Sequence, residues 1–346
     1  PRSTLFPYTT LFRSAEGVVL KISKGKDFIN EAKENEEIEI ITNQTPFYGE
    51  SGGQVGDQGE IKTSKCKIKI TDTQKKMGDL HVHVGKVVTG SVKVGENVNL
   101  EINVNRRNNA MAYHSATHLL HEALRRTLGK HVTQKGSLVS PEKLRFDFSH
   151  NKPIEKNEIN KIEDLVNDMI SKRCNVKTRI MTPKEAVDNG ALALFGEKYG
   201  DAVRTVRFGQ SIELCGGTHV DNTADIWHFK IVSEGAVAAG IRRIEAITND
   251  AVKSYYQDHD KAFFEMKDLL NNAQEPVKAL QNLQDENTNL KKQIEQLLKD
   301  KAKNIKGELK NEISEINGIN FLAKQLDLDA SGIKDLCFEL GSQFNN

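Results

Sequence analysis

The chain has 346 residues, of which 28% are charged, and its net charge of +1 neither supports nor excludes a nucleic-acid partner. Its mean hydropathy is −0.53, and no run approaches the roughly 18 consecutive apolar residues of a membrane helix, which excludes a helical membrane protein. The length predicts two or three domains. The four cysteines are widely separated and match no compact disulfide framework, so we predict a reducing, cytoplasmic environment.

Residues 1–14 differ in composition from the rest of the chain. They contain no acidic residue, whereas later segments are rich in Lys, Glu and Asn, and they lack the apolar core of a signal peptide. We predict that this stretch is foreign to the protein. The sequence has no initiator Met and no evident C-terminal cap at Asn346, so we expect it to be part of a longer chain.

Residues 15–105 predict a small β-barrel. Polar and apolar residues alternate in several short segments, which is the period of half-buried strands, and turn residues separate them. These segments are residues 37–41, 67–70, 81–84 and 91–94.

A glycine-rich segment, Pro46–Asp57, interrupts this region. Its closely spaced glycines could hold a phosphate through exposed backbone N–H groups. However, no Gly-Lys-Ser/Thr follows, as a P-loop requires. A structural turn is therefore favoured over a phosphate site, and we assign the segment no chemical role.

Residues 106–129 carry the apolar spacing of an amphipathic helix, and Gly129 is suited to end it. His114 and His118 lie four residues apart on this helix, so both can bind one metal ion. Taken alone the pair is a weak metal signal, because a core or surface helix face produces the same spacing. His121 lies three residues beyond His118, and we assign it a supporting or structural role.

A hairpin is predicted over residues 131–139 and 144–148. Near its start, Thr133 and Gln134 offer uncharged hydrogen-bonding groups that could recognise a substrate hydroxyl or amine, although solvent-facing strand residues have the same character. The elements predicted next are a helix over about 153–172, a short capped helix after Thr182, strands at 202–208 and 212–214, and a hairpin between 226 and 247.

The sequence CGGTH at 215–219 supplies a second pair of metal ligands. Its two glycines suit a tight turn that brings the Cys215 thiolate and the His219 imidazole to the same point. With His114 and His118 they form a His₃Cys set, which predicts one Zn²⁺ ion. Four protein ligands are typical of structural zinc, whereas catalytic zinc keeps a position open to water.

Residues 251–312 predict a long helix with an apolar seam that repeats every seven residues. The seam consists of Leu280, Leu283, Asn287, Leu290, Ile294 and Leu297. Asn287 would fix the register of a coiled coil. The seam is short, so an intramolecular helical hairpin agrees with it as well as a homodimer does. Residues 313–346 predict the start of another small domain.

Several long motifs resemble one family. They are HSATHLLHEALRRTLGKHVTQKGSLV at 114–139, LRFDFSH at 144–150, ELCGGTHV at 213–220 and GIRRIEAIT at 240–248. These motifs resemble the editing domain of alanyl-tRNA synthetases, and FYGESGGQVGD at 47–57 resembles the segment at its entrance. Free-standing alanyl-tRNA trans-editing proteins and the threonyl-tRNA synthetase editing domain share both metal motifs, but the long helical tail favours the synthetase.

The resemblance, together with the patterns above, predicts an α+β protein with four regions. They are a β-barrel domain (15–105), a zinc-binding α/β editing domain (106–250), a helical or coiled-coil linker (251–312) and the truncated start of a C-terminal domain that contacts tRNA and a dimer partner (313–346).

The resemblance also implies an activity, namely hydrolysis of tRNA(Ala) mischarged with serine or glycine, in a parent protein that ligates alanine to tRNA(Ala) with ATP. The positions that match the family's zinc ligands are His114, His118, Cys215 and His219. Gln134 matches a polar residue of the editing pocket, and Thr133 is its neighbour. Two alternatives stay open: a zinc-stabilised tRNA-binding module without catalysis, and a metallohydrolase acting on another substrate.

Overall fold

The computed structural model describes residues 12–192, 201–328 and 330–342. The described residues up to Gln257 form one compact unit, and those from Asp258 onward form a second. The first unit contains two main apolar cores, one inside a barrel and one around a central helix. Most of the predicted foreign segment, residues 1–11, lies outside the described residues.

The first region contains nine strands. They are β1 (Ser14–Lys24), β2 (Asp27–Ile29), β3 (Glu31–Lys33), β4 (Glu37–Thr42), β5 (Gly59–Lys62), β6 (Lys67–Lys76), β7 (Leu80–Thr89), β8 (Ser91–Lys93) and β9 (Asn97–Ile102). Six of them form an antiparallel barrel in the order β1-β4-β7-β6-β5-β9, and pairing of β9 with β1 closes it. The predicted β-barrel is confirmed.

Alternating side chains explain why this region closes into a barrel. In β9, Val98, Leu100 and Ile102 are buried while the residues between them are exposed. Because successive side chains of a strand point to opposite faces, each strand contributes one apolar row to the interior. Each fully buried Leu or Ile stabilises the fold by about 1.5–3 kcal/mol. All four segments predicted from alternation overlap strands, namely β4, β6, β7 and β8, and only Val94 lies beyond the end of its strand.

One histidine is enclosed within the barrel region. His83 of β7 is fully buried, with Nδ1 3.0 Å from the Ile40 carbonyl oxygen and Nε2 2.7 Å from the Thr45 hydroxyl. Burial lowers the pKa of His83 to about 4. In the unfolded chain this group titrates near pH 6.5. Its neutral form in the fold therefore gives stability that is complete above about pH 6.5 and declines as the pH falls toward 4.

We expect the free energy of unfolding of the barrel to fall by about 3 kcal/mol between about pH 7 and pH 4 because of His83. Hydrogen exchange of barrel amides at several pH values measures this quantity. His83→Gln, which cannot titrate, should remove that part of the pH dependence. An identical pH profile in both proteins would show that His83 is not its source.

The next region combines three helices with two sheets. The helices are α1 (Val104–Leu128), α2 (Lys156–Ser171) and α3 (Pro183–Asp188). The strands are β10 (Gln134–Val139), β11 (Leu144–Ser149), β12 (Lys177–Met181), β13 (Val203–Phe208), β14 (Ser211–Leu214), β15 (Phe229–Ala238) and β16 (Ile241–Thr248). One sheet has the order β10-β11-β16-β15 and the other β12-β13-β14. These bounds confirm the helices and hairpins predicted here.

Helix α1 is the central element of this region. Its N-cap is Asn103, whose side chain accepts a hydrogen bond from the Arg106 N–H, and it ends at Gly129, which has a φ of 116°. Every residue from Ala110 to His121 is buried, because α1 contacts α2 and strands of both sheets. Its histidines therefore lie inside the protein and not on a solvated face.

The glycine-rich segment leaves the barrel after β4 and lies against β10. Val139 N–H donates to the Gly53 carbonyl at 2.7 Å, and Val55 N–H donates to the Val139 carbonyl at 3.0 Å. A Cβ on Gly53 would lie 2.6 Å from the Ser137 carbonyl oxygen, so this approach requires glycine. Seven amides of the segment donate within the protein: those of Phe47, Tyr48, Glu50, Ser51, Gln54, Val55 and Asp57. These hydrogen bonds pack the segment against the barrel and β10, as expected of a structural turn.

A buried ion pair ties this segment to α1. Arg107 is completely buried, and its guanidinium donates to both carboxylate oxygens of Asp57. Arg107 also donates to the Pro46 carbonyl at 2.9 Å, and Asp57 accepts a hydrogen bond from Tyr48 N–H at 2.7 Å. Both ends of the glycine-rich segment are therefore fixed by the first turn of α1.

The remaining elements are mostly helical. They are α4 (Asn249–Leu269), α5 (Pro276–Asn311), β17 (Ser314–Ile316), β18 (Ile319–Phe321) and α6 (Ala330–Gly341). The predicted seam lies on α5, where Leu280 is 47% and Leu297 67% exposed in the described part of the chain. The coiled coil and the intramolecular hairpin both stay predictions. Among the described residues, no helix is long and apolar enough to cross a membrane.

Candidate metal centre

Two distant segments bring four metal-binding side chains together. Helix α1 supplies His114 and His118, and the turn after β14 supplies Cys215 and His219. Their ligand atoms all lie within 4.8 Å of one another. The structure therefore unites the four ligand positions that the sequence predicts.

The spacing of these atoms suits a tetrahedral ion. Cys215 Sγ lies 3.4 Å from His114 Nε2 and 3.2 Å from His219 Nε2. Zinc bonds of about 2.3 Å to sulfur and 2.0 Å to nitrogen place sulfur and nitrogen ligands roughly 3.5 Å apart. The ring centroids of His118 and His219 are 5.0 Å apart, so the third imidazole joins the same cluster.

Gln54 of the glycine-rich segment orients His114. Its Oε1 lies 2.7 Å from His114 Nδ1 and also accepts a hydrogen bond from Thr218 N–H at 2.9 Å. Its Nε2 donates to Thr218 Oγ1 at 2.8 Å. Because Oε1 can only accept, His114 Nδ1 carries the proton. His114 Nε2 therefore presents a lone pair to the centre.

Glu213 of β14 orients two further rings. Its Oε2 lies 2.7 Å from His118 Nδ1, and its Oε1 lies 3.0 Å from His121 Nδ1. Burial raises the pKa of Glu213, but the charge of His118 and the hydrogen bonds from both histidines outweigh burial and lower it to about 2. Glu213 is therefore an acceptor that turns His118 Nε2 toward the centre, and His121 lies beside the ligands as a supporting residue would.

Ser115 orients the remaining imidazole. Its Oγ donates to the Met111 carbonyl at 2.7 Å, so its lone pairs face His219 Nδ1, which lies 3.3 Å away. Each of the three ligand histidines thus meets an acceptor at Nδ1 and directs Nε2 inward.

The turn that carries Cys215 is fixed by Arg204 of β13. The guanidinium donates to the carbonyl oxygens of Cys215 and Gly217, both at 2.8 Å. Burial raises the pKa of Cys215, but the charges of the surrounding histidines outweigh it and hold the pKa well below 9.0. The thiolate is the form that binds metal.

One ring nitrogen without a hydrogen-bond partner indicates whether a cation fits this cluster. His118 Nε2 is buried and has no hydrogen-bond partner among the described residues. Buried polar atoms are almost always satisfied, so an ion held by this atom accounts for its position. Three imidazole lone pairs and a thiolate are an ordinary donor set for Zn²⁺. The residues therefore fit a metal ion, and zinc is the ion that we propose.

The cluster borders a cavity of about 790 Å³, which is within the range of small-molecule sites. The cavity is also lined by Thr133, Gln134 and His121. The exposed Lys130 and Lys135 lie along it, and neither has an ion-pair partner in the described ranges. The structure thus places both predicted substrate-positioning residues in the cavity that the metal ligands face.

Comparison with known proteins identifies the family. Residues 2–106 match the model described as tRNA synthetases class II (A), and residues 203–245 match the one described as threonyl and alanyl tRNA synthetase second additional domain. The alanine–tRNA ligase of Christiangramia forsetii is 49% identical over 92% of this chain and 36% of its own length. That of Flavobacterium psychrophilum is 50% identical over 91% of this chain and 36% of its own length.

The chain belongs to the alanyl-tRNA synthetase family. It spans about 36% of the length of these two relatives. The alanine–tRNA ligase of Parvibaculum lavamentivorans, 44% identical over 90% of this chain and 37% of its own length, agrees with this assignment.

Two residues that shape the metal centre of this alanyl-tRNA synthetase relative, Glu213 and Gln54, were not among the predicted site residues. Glu213 lies on β14 two residues before Cys215, which directly follows that strand, so the alternation of strand side chains indicates that both lie on one side. Gln54 had no such signal, because it reaches His114 only through packing between the barrel and α1. The glycine-rich segment that contains Gln54 was predicted to have no chemical role.

We expect Gly217→Ala to weaken metal binding at least about tenfold, because a Cβ would lie 2.0 Å from His114 Cε1 and 2.3 Å from its Nδ1. The ring has to move and loses Gln54, and loss of such a supporting partner typically costs 10- to 100-fold in metal affinity. Competition with a chelator of known affinity measures the change. Gly216→Ala is the matched control, since no atom lies within 4 Å of its Cβ position. Equal effects of the two substitutions would contradict the prediction.

Proposed function

We propose that this chain hydrolyses the ester bond of tRNA(Ala) mischarged with serine or glycine. The observation that carries the proposal is that three of the four metal ligands, His114, His118 and Cys215, line one cavity of about 790 Å³ together with Gln134 and Thr133. The match of residues 203–245 supports it further, because that stretch contains Cys215 and His219 and the matching domain is named for two tRNA synthetases.

An enzyme that selects alanine needs a second site of this kind, because its first pocket discriminates weakly against glycine and serine. A pocket for alanine cannot exclude glycine by size, because one missing methyl or methylene group is worth only about 1–3 kcal/mol. Serine adds one hydroxyl, which an apolar pocket also rejects weakly. A second, polar site that hydrogen-bonds the hydroxyl can select mischarged tRNA for hydrolysis. Water then attacks the ester carbonyl that joins the amino acid to the terminal ribose.

In the proposed reaction, the residues of the metal centre would hold the zinc ion. The ligand atoms would be Nε2 of His114, His118 and His219 and Sγ of Cys215. A bound zinc ion supplies positive charge that can polarise a carbonyl or acidify water. Four protein ligands complete an ordinary tetrahedral site, so substrate positioning falls to the other cavity residues.

Gln134 is the cavity residue that we assign to hold the aminoacyl group, with Thr133 beside it. The Thr133 hydroxyl already lies 2.9 Å from Ser149 Oγ, whereas the Gln134 side chain makes no hydrogen bond among the described residues. His121 Nε2 is likewise unpartnered there. The charges of Lys130 and Lys135 suit the phosphates of the tRNA end.

Deacylation of Ser-tRNA(Ala) by the full chain tests the proposal, with Ala-tRNA(Ala) as the substrate that should survive. We expect Gln134→Ala to slow the reaction about tenfold, since one lost hydrogen bond is worth about 0.5–1.5 kcal/mol. Gln284→Ala on α5 changes an exposed glutamine and serves as the control. An unchanged rate and selectivity in Gln134→Ala would remove Gln134 from the mechanism.

A zinc-stabilised tRNA-binding module without catalysis is the second candidate, and the complete set of four protein ligands favours it. In that case removal of the metal lowers stability and RNA affinity, and the chain hydrolyses no mischarged tRNA. A hydrolase with another substrate is distinguished by comparing charged tRNA with simple esters. The long helices α4 and α5 favour a synthetase over a free-standing trans-editing enzyme.

For the complete protein we propose that it joins alanine to tRNA(Ala) using ATP, because its relatives are named alanine–tRNA ligases. We also propose that α5 forms a coiled coil in a homodimer through its exposed seam, as the heptad spacing predicts. The wide spacing of the cysteines supports a cytoplasmic location.

A further inference from the structure

Trp227 lies in an unusual backbone conformation on the surface. It is the only tryptophan in the chain, and its side chain is 57% exposed. Its φ is 59° and its ψ −70°, and His228 N–H donates to the Ile226 carbonyl across it at 2.8 Å. This is a γ-turn of the rare, positive-φ kind, which is strained for a residue with a large side chain.

The surrounding residues hold Trp227 in this position. The preceding turn, Thr223–Ile226, is a 3₁₀ helix capped by Asn222, and Trp227 N–H donates to the Ala224 carbonyl at 3.0 Å. Ile226 and Phe229 are fully buried on either side. Strained residues persist where their surroundings force the conformation, and they concentrate at functional sites.

Further rings lie beside Trp227. The His228 ring centroid is 6.0 Å from that of Trp227 and 6.2 Å from that of Tyr256, which is 42% exposed. We call Trp227, His228 and Tyr256 the aromatic platform. Lys253 lies one helical turn before Tyr256 on α4, is exposed, and has no ion-pair partner in the described part of the chain.

We propose that the aromatic platform binds an unpaired nucleobase of RNA, with Trp227 as the stacking surface and Lys253 near the adjacent phosphate. Exposed aromatic faces beside a cation are the features that recognise single-stranded nucleic acid. The site lies outside the cavity, since no platform residue lines it. The inference rests on the proposed function in one respect: tRNA is the RNA that such an enzyme would hold.

Because Trp227 is the only tryptophan, its fluorescence reports directly on the platform. We expect a short single-stranded RNA of mixed sequence to quench this fluorescence in the full chain, and the same RNA paired with its complement to quench it far less. Trp227→Gly should weaken binding of a labelled single strand about tenfold, the usual effect of removing one stacking ring. The same variant should melt at a higher temperature, because glycine adopts a positive φ without strain. A variant that is more stable yet binds less cannot be explained by misfolding.

Trp227→Phe keeps an aromatic face and should retain most of the affinity. Unchanged binding in Trp227→Gly, or equal quenching by duplex RNA, would overturn the inference. So would an emission change that depends on protein concentration alone, because that result indicates a second copy of the chain on the platform. Deacylation of Ser-tRNA(Ala), measured in parallel, separates the two proposals. Quenching without hydrolysis overturns only the proposed function, and hydrolysis without quenching overturns only this inference.

Discussion

Cys215→Ser is expected to empty the metal centre and to reduce deacylation of Ser-tRNA(Ala) at least about a hundredfold. Loss of a residue that merely supports a ligand costs 10- to 100-fold in metal affinity, so loss of a ligand reaches at least the upper end of that range. A serine hydroxyl cannot supply the anion that the histidines stabilise in Cys215. Elemental analysis of metal per chain, combined with the deacylation assay, measures both effects.

Cys337→Ser is the matched control, because Cys337 is exposed on α6 and the chemical change is identical. It should keep both the metal and the activity. One equivalent of metal retained by Cys215→Ser would show that this cluster is not the metal site. Full hydrolysis by a metal-free Cys215→Ser protein would show that the centre is not needed for the reaction.

Asp57→Asn is expected to lower the free energy of unfolding by about 3–5 kcal/mol, because it leaves the fully buried Arg107 without its counter-charge. The substitution should also weaken metal binding. Asp57 holds the glycine-rich segment through its hydrogen bond from Tyr48 N–H, and Gln54 of this segment orients His114. Denaturant unfolding and chelator competition on the same sample measure the two effects.

A surface pair provides the comparison. Glu36→Gln breaks the ion pair with Lys24, in which the side chain of Lys24 is 55% and that of Glu36 28% exposed. Because solvent screens such a surface pair, the free energy of unfolding should change little. The substitution should leave the metal affinity unchanged. If Asp57→Asn is no more harmful than Glu36→Gln, the buried pair does not hold the glycine-rich segment in place.

The parts of the molecule that could be predicted depend on local periodicity. The alternation in β4, β6, β7 and β8 specifies half-buried strands, and the spacing of His114 and His118 places both on one face of α1. The Gly-Gly turn before His219 similarly explains how that ligand and Cys215 converge. These features require only the residues within a few positions of each other.

The parts that could not be predicted depend on packing between distant segments. Gln54 and His114 are sixty positions apart, and nothing in the spacing of either indicates their 2.7 Å contact. Closure of the barrel through β1 and β9 is equally non-local. Alternation places Glu213 beside Cys215, but only the packed structure shows that one carboxylate serves both His118 and His121.

Gln54 lies in the segment anchored to the barrel and forms a hydrogen bond with the metal ligand His114. Metal binding and folding of the barrel are therefore thermodynamically linked. An ion that binds only the folded arrangement stabilises it by mass action, by about 2.7 kcal/mol when its free concentration is a hundred times its dissociation constant. Part of that free energy is transmitted to the barrel through Gln54, Asp57 and Arg107. The metal should therefore raise the melting temperature of β-strands that contribute no ligand to it.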